Sequence, residues 1–268
     1  MNKRIGLHLR FEKSIVEVFE QAATLELPFF QCFLVDNKKA AIVSITQKEI
    51  EKVEKIRSNF SAIFIHSSYF INVAELGVFG RSLLLKELHG AHVLKASHFV
   101  LHLGSMAKET GYEMGIKKIA QAVKFILQET DMFILIENTA HKNACGSDIL
   151  DVVDIFEELS WREKLFFCLD TAHAYSFGYD FISENEQNLF LDFLGNSIGF
   201  EKIALIHLND SLAKKKSYID SHAAPGNGLI GLEPLKKLMT HQKLQNTPVL
   251  CELTPREIND ALLILKFL

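Results

Sequence analysis

The segment MFILIENTAHKNACGSDILDVVDIFEELSWREKLFFCLD, residues 132–170, contains two apolar runs separated by an amphipathic run. Residues 132–136 and 165–169 have the length and composition of buried strands, and residues 148–159 have the apolar spacing of a helix. The two predicted strands are followed by acidic residues, Glu137 and Asp170. A strand, a helix and a second strand in succession predict two parallel strands of one sheet.

The same alternation continues in both directions along the chain. Further strands are predicted at 4–9, 29–35, 62–65, 98–101, 203–206 and 248–251, and further helices at 15–23, 47–57, 73–93, 112–128, 184–194, 232–239 and 255–267. Thr46 is predicted to cap the second helix. Eight strand and helix units without a linker favour an α/β fold, a single (β/α)₈ TIM-barrel domain over residues 1–268. A doubly wound open sheet is the alternative, but no GxGxxG motif follows the first strand.

The composition is typical of a water-soluble globular protein. Hydrophobic residues make up 48% and charged residues 23% of the 268 residues. No apolar run approaches the roughly 18 residues of a membrane helix, and the first residues lack the apolar core of a signal peptide. The four cysteines have no regular spacing, which predicts reduced, mostly buried thiols in a cytoplasmic protein without a membrane partner.

The net charge of -4 does not by itself indicate a nucleic-acid-binding protein. Bound divalent cations would offset this negative charge, so the composition does not exclude an anionic substrate.

Six successive predicted strands, the third to the eighth, end in a residue that can bind a metal ion. These residues are His66, His102, Glu137, Asp170, His207 and Glu252. The carboxyl ends of the strands of a (β/α)₈ barrel converge on one face, where the active sites of this fold lie. Any one of them alone is more often structural. Six in succession, all His, Asp or Glu, indicate a metal site that suits borderline-soft divalent ions.

Three more candidate ligands lie outside the strands. His173 follows Asp170 by three residues, and Asp220 and His222 are two residues apart, so in an extended chain their side chains point the same way. His8, at the end of the first strand, is predicted to line the site without binding metal. Four other histidines are predicted to be solvated: His89, His92, His141 and His241.

Several segments carry a resemblance to a known family. They are FIHSSYF (64–70), FVLHLGS (99–105), LIENTA (135–140), CLDTAHAYSFGYD (168–180), IHLNDS (206–211), the stretch from IDSH to GNGLIG (219–231) and CELTP (251–255). The chain resembles the endonuclease IV family of apurinic/apyrimidinic endonucleases over essentially its whole length. That resemblance implies a (β/α)₈ barrel that holds three zinc ions.

The resemblance also implies which residues hold each ion. His66 and His102 would bind the first zinc, with Glu137 bridging to the second. Asp170, His207 and Glu252 would complete the second site, and His173, Asp220 and His222 would hold the third. His and carboxylate ligands also accept Mn²⁺ or Fe²⁺ at some sites.

The reaction implied by the family is hydrolysis of the phosphodiester 5′ to an abasic site in double-stranded DNA, which leaves a 3′-hydroxyl. A 3′-repair diesterase activity belongs to the same expectation. Clustered divalent ions lower the pKa of water and compensate the charge of the phosphate. Glu137 and Glu252 are the candidates to orient or deprotonate the attacking water. Because members of this family usually act as monomers, the resemblance implies a monomer.

The expected DNA contacts depart from the family pattern. Tyr69 and Phe70 match a loop that the family inserts into the duplex at the flipped-out nucleotide. The loop after the second strand contains Lys38 and Lys39 but lacks the usual arginine, and a lysine does not replace a planar guanidinium. The usual Asp-Arg-His motif also has a serine at its centre, Ser221. We therefore expect intact metal chemistry with altered lesion recognition.

Two other functions stay open. A single-metal sugar isomerase or epimerase on a related barrel would need only Glu137, Asp170, His207 and Glu252. The five additional candidate ligands argue against it, because one metal ion needs no such surplus. A non-catalytic nucleic-acid-binding module with a stabilising metal is the second alternative, and such a module would not need to keep every carboxylate.

Overall fold

The fold is a closed barrel of eight parallel strands in a computed structural model that describes residues 4–36, 40–254 and 257–258. The strands are β1 (Ile5–His8), β2 (Phe29–Phe33), β3 (Ala62–His66), β4 (His98–Leu101), β5 (Phe133–Glu137), β6 (Leu165–Asp170), β7 (Ile203–His207) and β8 (Val249–Cys251). Each strand pairs with its neighbours in chain order, and β1 pairs with both β2 and β8, which closes the sheet. The predicted TIM barrel is confirmed.

Helices follow the strands on the outside of the barrel. They are α1 (Ile15–Thr24), α2 (Gln47–Arg57), α3 (Val78–Val93), α4 (Tyr112–Glu129), α5 (Ile149–Glu158), α6 (Thr171–Phe177), α7 (Glu184–Ser197) and α8 (Leu232–Thr240). The predicted cap of α2 is confirmed: the Thr46 hydroxyl accepts from the Glu49 backbone N–H, and the Glu49 carboxylate accepts from the Thr46 backbone N–H. The predicted helix 255–267 falls almost entirely outside the described residues, so it stays a prediction.

Three local predictions differ from the structure. The helix predicted over 73–93 is a short 3₁₀ turn, Val73–Glu75, followed by α3, because Gly77 between them has an extended backbone. The strand predicted to continue to residue 35 ends at Phe33, and Val35–Asp36 instead pairs with Ala41–Ile42 in an antiparallel hairpin. The short helix α6 was not predicted, because it begins directly at the end of β6 without an intervening loop.

The centre of the barrel is filled by one layer of side chains, which we call the apolar layer. It comprises Phe29, Phe64, Val100, Leu135, Cys168, Leu205 and Leu250 from strands β2 to β8. Strand β1 contributes Gly6 at this level, and a Cβ atom there would lie 2.5 Å from the Phe29 ring. The Phe29 ring therefore occupies the space of the missing side chain. A larger apolar core lies between the sheet and the helices.

The four cysteines are free and buried, as predicted. Among the described residues, no helix is long and apolar enough to cross a membrane.

Candidate metal centre

A ring of polar side chains lies one pleat step above the apolar layer, at the carboxyl ends of the strands. Side chains alternate across a strand, so the residue two positions after each member of the apolar layer points into the barrel again. These eight residues, which we call the polar layer, are His8, Gln31, His66, His102, Glu137, Asp170, His207 and Glu252. Gln31 is the member that the sequence analysis missed. Its position two residues after Phe29 was the signal that could have found it.

The first group in this ring joins β3, β4 and β5. One donor atom each from His66, His102 and Glu137 lies within 4.8 Å of the others. The Glu137 carboxylate is 2.9 Å from His66 Nε2 and 3.5 Å from His102 Nε2. His66 Nδ1 lies 2.8 Å from the Ser67 carbonyl oxygen and donates to it, which leaves Nε2, facing the carboxylate, as the atom available to a metal ion. Burial lowers the pKa of His102 to about 4, which keeps this ring neutral and available as a ligand.

The second group joins β5 to β8. Glu137, Asp170, His207 and Glu252 each bring one donor atom within 4.8 Å of the rest. His207 Nδ1 lies 2.9 Å from Glu137 Oε1 and 3.8 Å from Glu252 Oε2. Asn209 links two residues of this group, because its amide nitrogen donates to Asp170 Oδ2 at 2.6 Å and its carbonyl oxygen accepts from the Glu252 backbone N–H at 2.9 Å. Asn209 belongs to the segment IHLNDS (206–211), but the sequence analysis assigned it no role.

The Cys168 thiol is close to this second group and is not one of its ligands in our interpretation. Cys168 lies within 4.8 Å of donor atoms of Glu137 and His207. Burial raises the pKa of the thiol to about 12, and the side chain lies one pleat step below Asp170, packed among the apolar side chains. Cys168 therefore belongs to the apolar layer beneath the site.

The third group lies at the mouth of the barrel. Asp170, His173 and His222 form a cluster within 4.8 Å, and Asp220 Oδ1 is 3.3 Å from His173 Nε2 and 3.1 Å from His222 Nε2. The two imidazole Nε2 atoms are only 3.1 Å apart. His173 Nδ1 lies 2.9 Å from the Asn138 carbonyl oxygen and donates to it, so Nε2 is the atom that faces the other members.

Local structure explains how these loop residues reach the site. The Asp170 carboxylate caps α6 and accepts from the His173 backbone N–H at 2.7 Å, and this first helical turn brings the imidazole back over β6. His222 lies in a two-stranded hairpin in which His222–Ala223 pairs with Asp210–Ser211. The Asp210 carboxylate accepts from the backbone N–H groups of Gly226, Ile230 and Gly231, which fixes the glycine-rich turn beyond the hairpin.

The electrostatics of the site suit bound cations. Burial would raise the pKa of Glu137, but His207 beside it holds that pKa well below its usual range. Burial likewise opposes ionisation of Glu252, whose pKa is nevertheless held low, first of all by His207. Imidazole nitrogen atoms and carboxylate oxygen atoms therefore lie within hydrogen-bond distance of each other. Such an arrangement is satisfied by protons or by divalent cations between the groups, and the donor set is the one that transition-metal ions prefer.

The predicted DNA contacts are only partly described. Tyr69 and Phe70 are 62% and 42% exposed on the loop after β3, where side chains can meet a ligand. The Tyr69 ring is 5.4 Å from the Phe33 ring and stacks at 6.1 Å on His102. Tyr69 also lines a cleft of about 870 Å³ that reaches His222 and Glu252. Lys38 and Lys39 lie outside the described residues.

The remaining histidines agree with their predictions in the main. His8 lies in the polar layer, 3.3 Å from Glu252 Oε1, and lines the cleft. His89, His92 and His141 are exposed. His241 is half-buried instead, because its ring packs 5.8 Å from that of Phe200.

Comparison with known proteins places this arrangement in a family. A family model described as xylose isomerase-like TIM barrel matches residues 19–266. The chain belongs to the xylose isomerase-like TIM-barrel family. The resemblance to endonuclease IV is also confirmed. A probable endonuclease 4 of Halothermothrix orenii is 29% identical over 262 residues, covering 94% of each chain. One of Clostridium beijerinckii is 29% identical over 264 residues, covering 96% of this chain and 94% of the relative.

Solved structures agree with these relatives. Endonuclease IV from Thermus thermophilus superposes with a TM-score of 0.82 at 26% identity, covering 99% of this chain and 100% of that one. A D-tagatose 3-epimerase-like protein shares the fold with a TM-score of 0.73 at 17% identity, covering 98% of this chain and 96% of that one.

Proposed function

We propose that this protein is a metal-dependent apurinic/apyrimidinic endonuclease, which hydrolyses the phosphodiester 5′ to an abasic site in double-stranded DNA and leaves a 3′-hydroxyl. The observation that carries the proposal is the convergence of all nine predicted ligands into three adjoining groups on one barrel face. The full-length similarity to endonuclease IV of Thermus thermophilus supports it. A 3′-repair diesterase activity at the same site is part of the proposal.

The proposed cofactors are three Zn²⁺ ions, with Mn²⁺ or Fe²⁺ possible at some positions. The residues that would hold them are His66, His102 and Glu137, then Glu137, Asp170, His207 and Glu252, and finally His173, Asp220 and His222. When bound, such clustered ions lower the pKa of water and compensate the charge of the phosphoryl oxygens.

The two candidate catalytic carboxylates have different surroundings, which suggests different roles. Glu137 is completely buried between the first two groups, 2.9 Å from both His66 and His207, where it would bridge ions held by the two groups. Glu252 retains 14% exposure of its side chain and lines the cleft. The carboxylate is ionised and reaches the cleft, where a water molecule that enters can be oriented by it or give it a proton. We therefore assign proton transfer to Glu252 and bridging to Glu137.

Recognition of the lesion is assigned to the rim of the cleft. Tyr69 and Phe70 present exposed aromatic rings that can fill the gap left by a missing base. Lys38 and Lys39 are proposed to contact phosphates from the loop after β2. The protein is proposed to act as a cytoplasmic monomer with one domain over residues 1–268.

The alternative is a sugar isomerase or epimerase with one metal ion. The likeness to the D-tagatose 3-epimerase-like protein, at 17% identity, shows a shared fold. The second group alone would serve that chemistry. The first and third groups favour the three-metal enzyme. In both groups the carboxylate oxygen of Glu137 or Asp220 lies 3.5 Å or less from the two imidazole nitrogens beside it.

The decisive experiment combines cleavage with metal analysis. A duplex with one abasic-site analogue is incubated with purified protein before and after chelation, beside a duplex without the analogue. We expect a single cut on the 5′ side, a product that a polymerase extends, loss of cutting on chelation, and about three metal ions per chain. His102→Ala should lower the metal content, whereas His89→Ala, an exposed histidine on α3, should not.

Two outcomes would contradict the proposal. One metal ion per chain without cutting would favour the epimerase. Three metal ions without cutting of the abasic duplex would favour a nuclease for a different lesion, as the altered loop after β2 suggests.

A further inference from the structure

Gln31 occupies a central position in the polar layer, although it is no candidate ligand. Its side chain is fully buried on β2 and contacts three other members of the ring. The amide oxygen lies 3.1 Å from His207 Nε2. The amide nitrogen lies 3.1 Å from Glu252 Oε1 and 2.9 Å from His8 Nδ1. Both the amide nitrogen and the amide oxygen are therefore directed into the site.

The chemistry of these partners fixes the orientation of the amide. An ionised carboxylate only accepts hydrogen bonds, so the NH₂ group of Gln31 must face Glu252. The carbonyl oxygen of Gln31 then faces His207 and can only accept. His207 Nε2 must therefore carry a hydrogen and donate to Gln31. The nitrogen left to bind a metal ion is His207 Nδ1, which lies 2.9 Å from Glu137 Oε1.

Two other histidines of the site are oriented in a related way, but by the backbone. His66 Nδ1 faces the carbonyl of Ser67, and His173 Nδ1 faces the carbonyl of Asn138. A backbone carbonyl cannot be removed by substitution. His207 instead depends on a side chain, so its orientation can be tested by mutation.

We propose that Gln31 is a positioning residue of the metal centre, which holds His207 in the tautomer that presents Nδ1 to the second metal group and at the same time orients Glu252. The inference rests on the proposed metal-dependent function. Substitution of residues that orient metal-binding histidines typically weakens metal binding 10-fold to 100-fold. The effect should be confined to the second group. Among the described hydrogen bonds, those of Gln31 reach His207 and Glu252 of the second group and the non-ligand His8.

The test compares three variants by metal affinity and by spectroscopy. Gln31→Met keeps the length of the side chain and removes both polar groups. Gln31→Glu keeps an acceptor opposite His207. Gln187→Met is the matched control, because Gln187 is a buried glutamine on α7 whose amide donates to the carbonyls of Phe181 and Pro234, away from the site. Zn²⁺ affinity is measured by competition with a chelator, and the tautomer of His207 by ¹⁵N shifts of the zinc-loaded protein.

We expect Gln31→Met to lower the affinity for one of the bound Zn²⁺ ions about 10-fold to 100-fold. We also expect this variant to lose the Nε2–H tautomer of His207. Gln31→Glu should retain that tautomer, and Gln187→Met should bind zinc like the parent. Parental affinity in Gln31→Met would overturn the proposal. So would an Nδ1–H tautomer of His207 in the zinc-loaded parent, a measurement that needs no variant to fold. Neither the Zn²⁺ affinity nor the tautomer measurement uses DNA. A failure to cut abasic DNA would therefore contradict the proposed substrate without testing the role of Gln31.

Discussion

The apolar layer and the polar layer of the barrel come from the same strands, one pleat step apart, and serve opposite purposes. In the apolar layer, Phe29 and Leu135 are buried against other apolar side chains, and this burial stabilises the fold. In the polar layer, Gln31 and Glu137 are buried just as completely. Burial of polar and charged groups costs free energy unless each finds a partner. The lower layer therefore holds the barrel together, and the upper layer is retained for its chemistry.

The largest effect is expected from neutralising the centre of the polar layer. Glu137→Gln keeps the shape of the side chain and removes its charge. Its oxygens lie 2.9 Å from both His66 and His207 and 3.5 Å from His102, so one change disturbs the first two metal groups. We expect turnover of abasic duplex to fall by at least about 100-fold, with loss of bound metal. The measurements are single-turnover cleavage and metal content, with circular dichroism as the control for folding.

A Glu137→Gln variant that cuts within a few-fold of the parental rate would contradict both the bridging role and the proposed mechanism. A variant that keeps its metal and loses turnover would retain Glu137 in the mechanism but remove its role as a ligand.

The next largest effect is expected one pleat step below on the same strand. Leu135→Ala opens a cavity in the apolar layer, where Leu135 is fully buried. Such substitutions cost about 2–5 kcal/mol in the free energy of unfolding. The expected result is a melting temperature lower by roughly 5–15 °C with unchanged metal content at 25 °C. Thermal unfolding of the metal-free protein measures the first, and metal analysis of the folded protein measures the second.

If Leu135→Ala lost metal without losing stability, the division of the barrel into a supporting layer and a functional layer would be wrong.

The sequence predicted the strand ends well because the barrel repeats one rule. Each apolar run stops at the point where the interior becomes polar, so His66, Glu137 and His207 were visible as the first polar residues after their strands. The eight strands and the closed barrel followed from the same periodicity. The metal groups could be anticipated for that reason, and from the family resemblance.

Gln31 was not predicted as a site residue, because the β2 sequence FFQCFLV continues as an apolar run beyond it. Nothing local marks a glutamine inside such a run as part of a site, and only the register of the closed sheet places it opposite His207. Helix α6 was also missed, since its first turn depends on the Asp170 cap, and a capping aspartate is indistinguishable in sequence from a strand-end ligand.

Two buried carboxylates, one in the polar layer and one on a helix outside the barrel, differ in their pKa values. Glu137 lies among histidines, and its pKa is low despite burial. Glu87 on α3 is also fully buried, but it lies outside the barrel interior and accepts a hydrogen bond only from the Ser68 backbone N–H, at 3.0 Å, among the described contacts. Burial raises the pKa of Glu87 to about 8 from an ordinary value of 4.5. Glu87 is therefore protonated in the folded protein near neutral pH.

The smallest effect is expected from Glu87→Gln, and it depends on pH. Between its ordinary pKa of 4.5 and its folded pKa of about 8, Glu87 holds a proton in the folded protein and releases it on unfolding. Higher pH therefore favours unfolding, and the stability contributed by the raised pKa is full below about pH 4.5 and lost as pH rises toward 8. Between pH 6 and 7 the parent should lose up to about 1.4 kcal/mol relative to Glu87→Gln. Urea unfolding of both metal-free proteins at several pH values measures this difference, because all other titrating groups are shared. A difference that does not change with pH would mean that Glu87 is ionised in the fold and has a cationic partner, as Glu137 has.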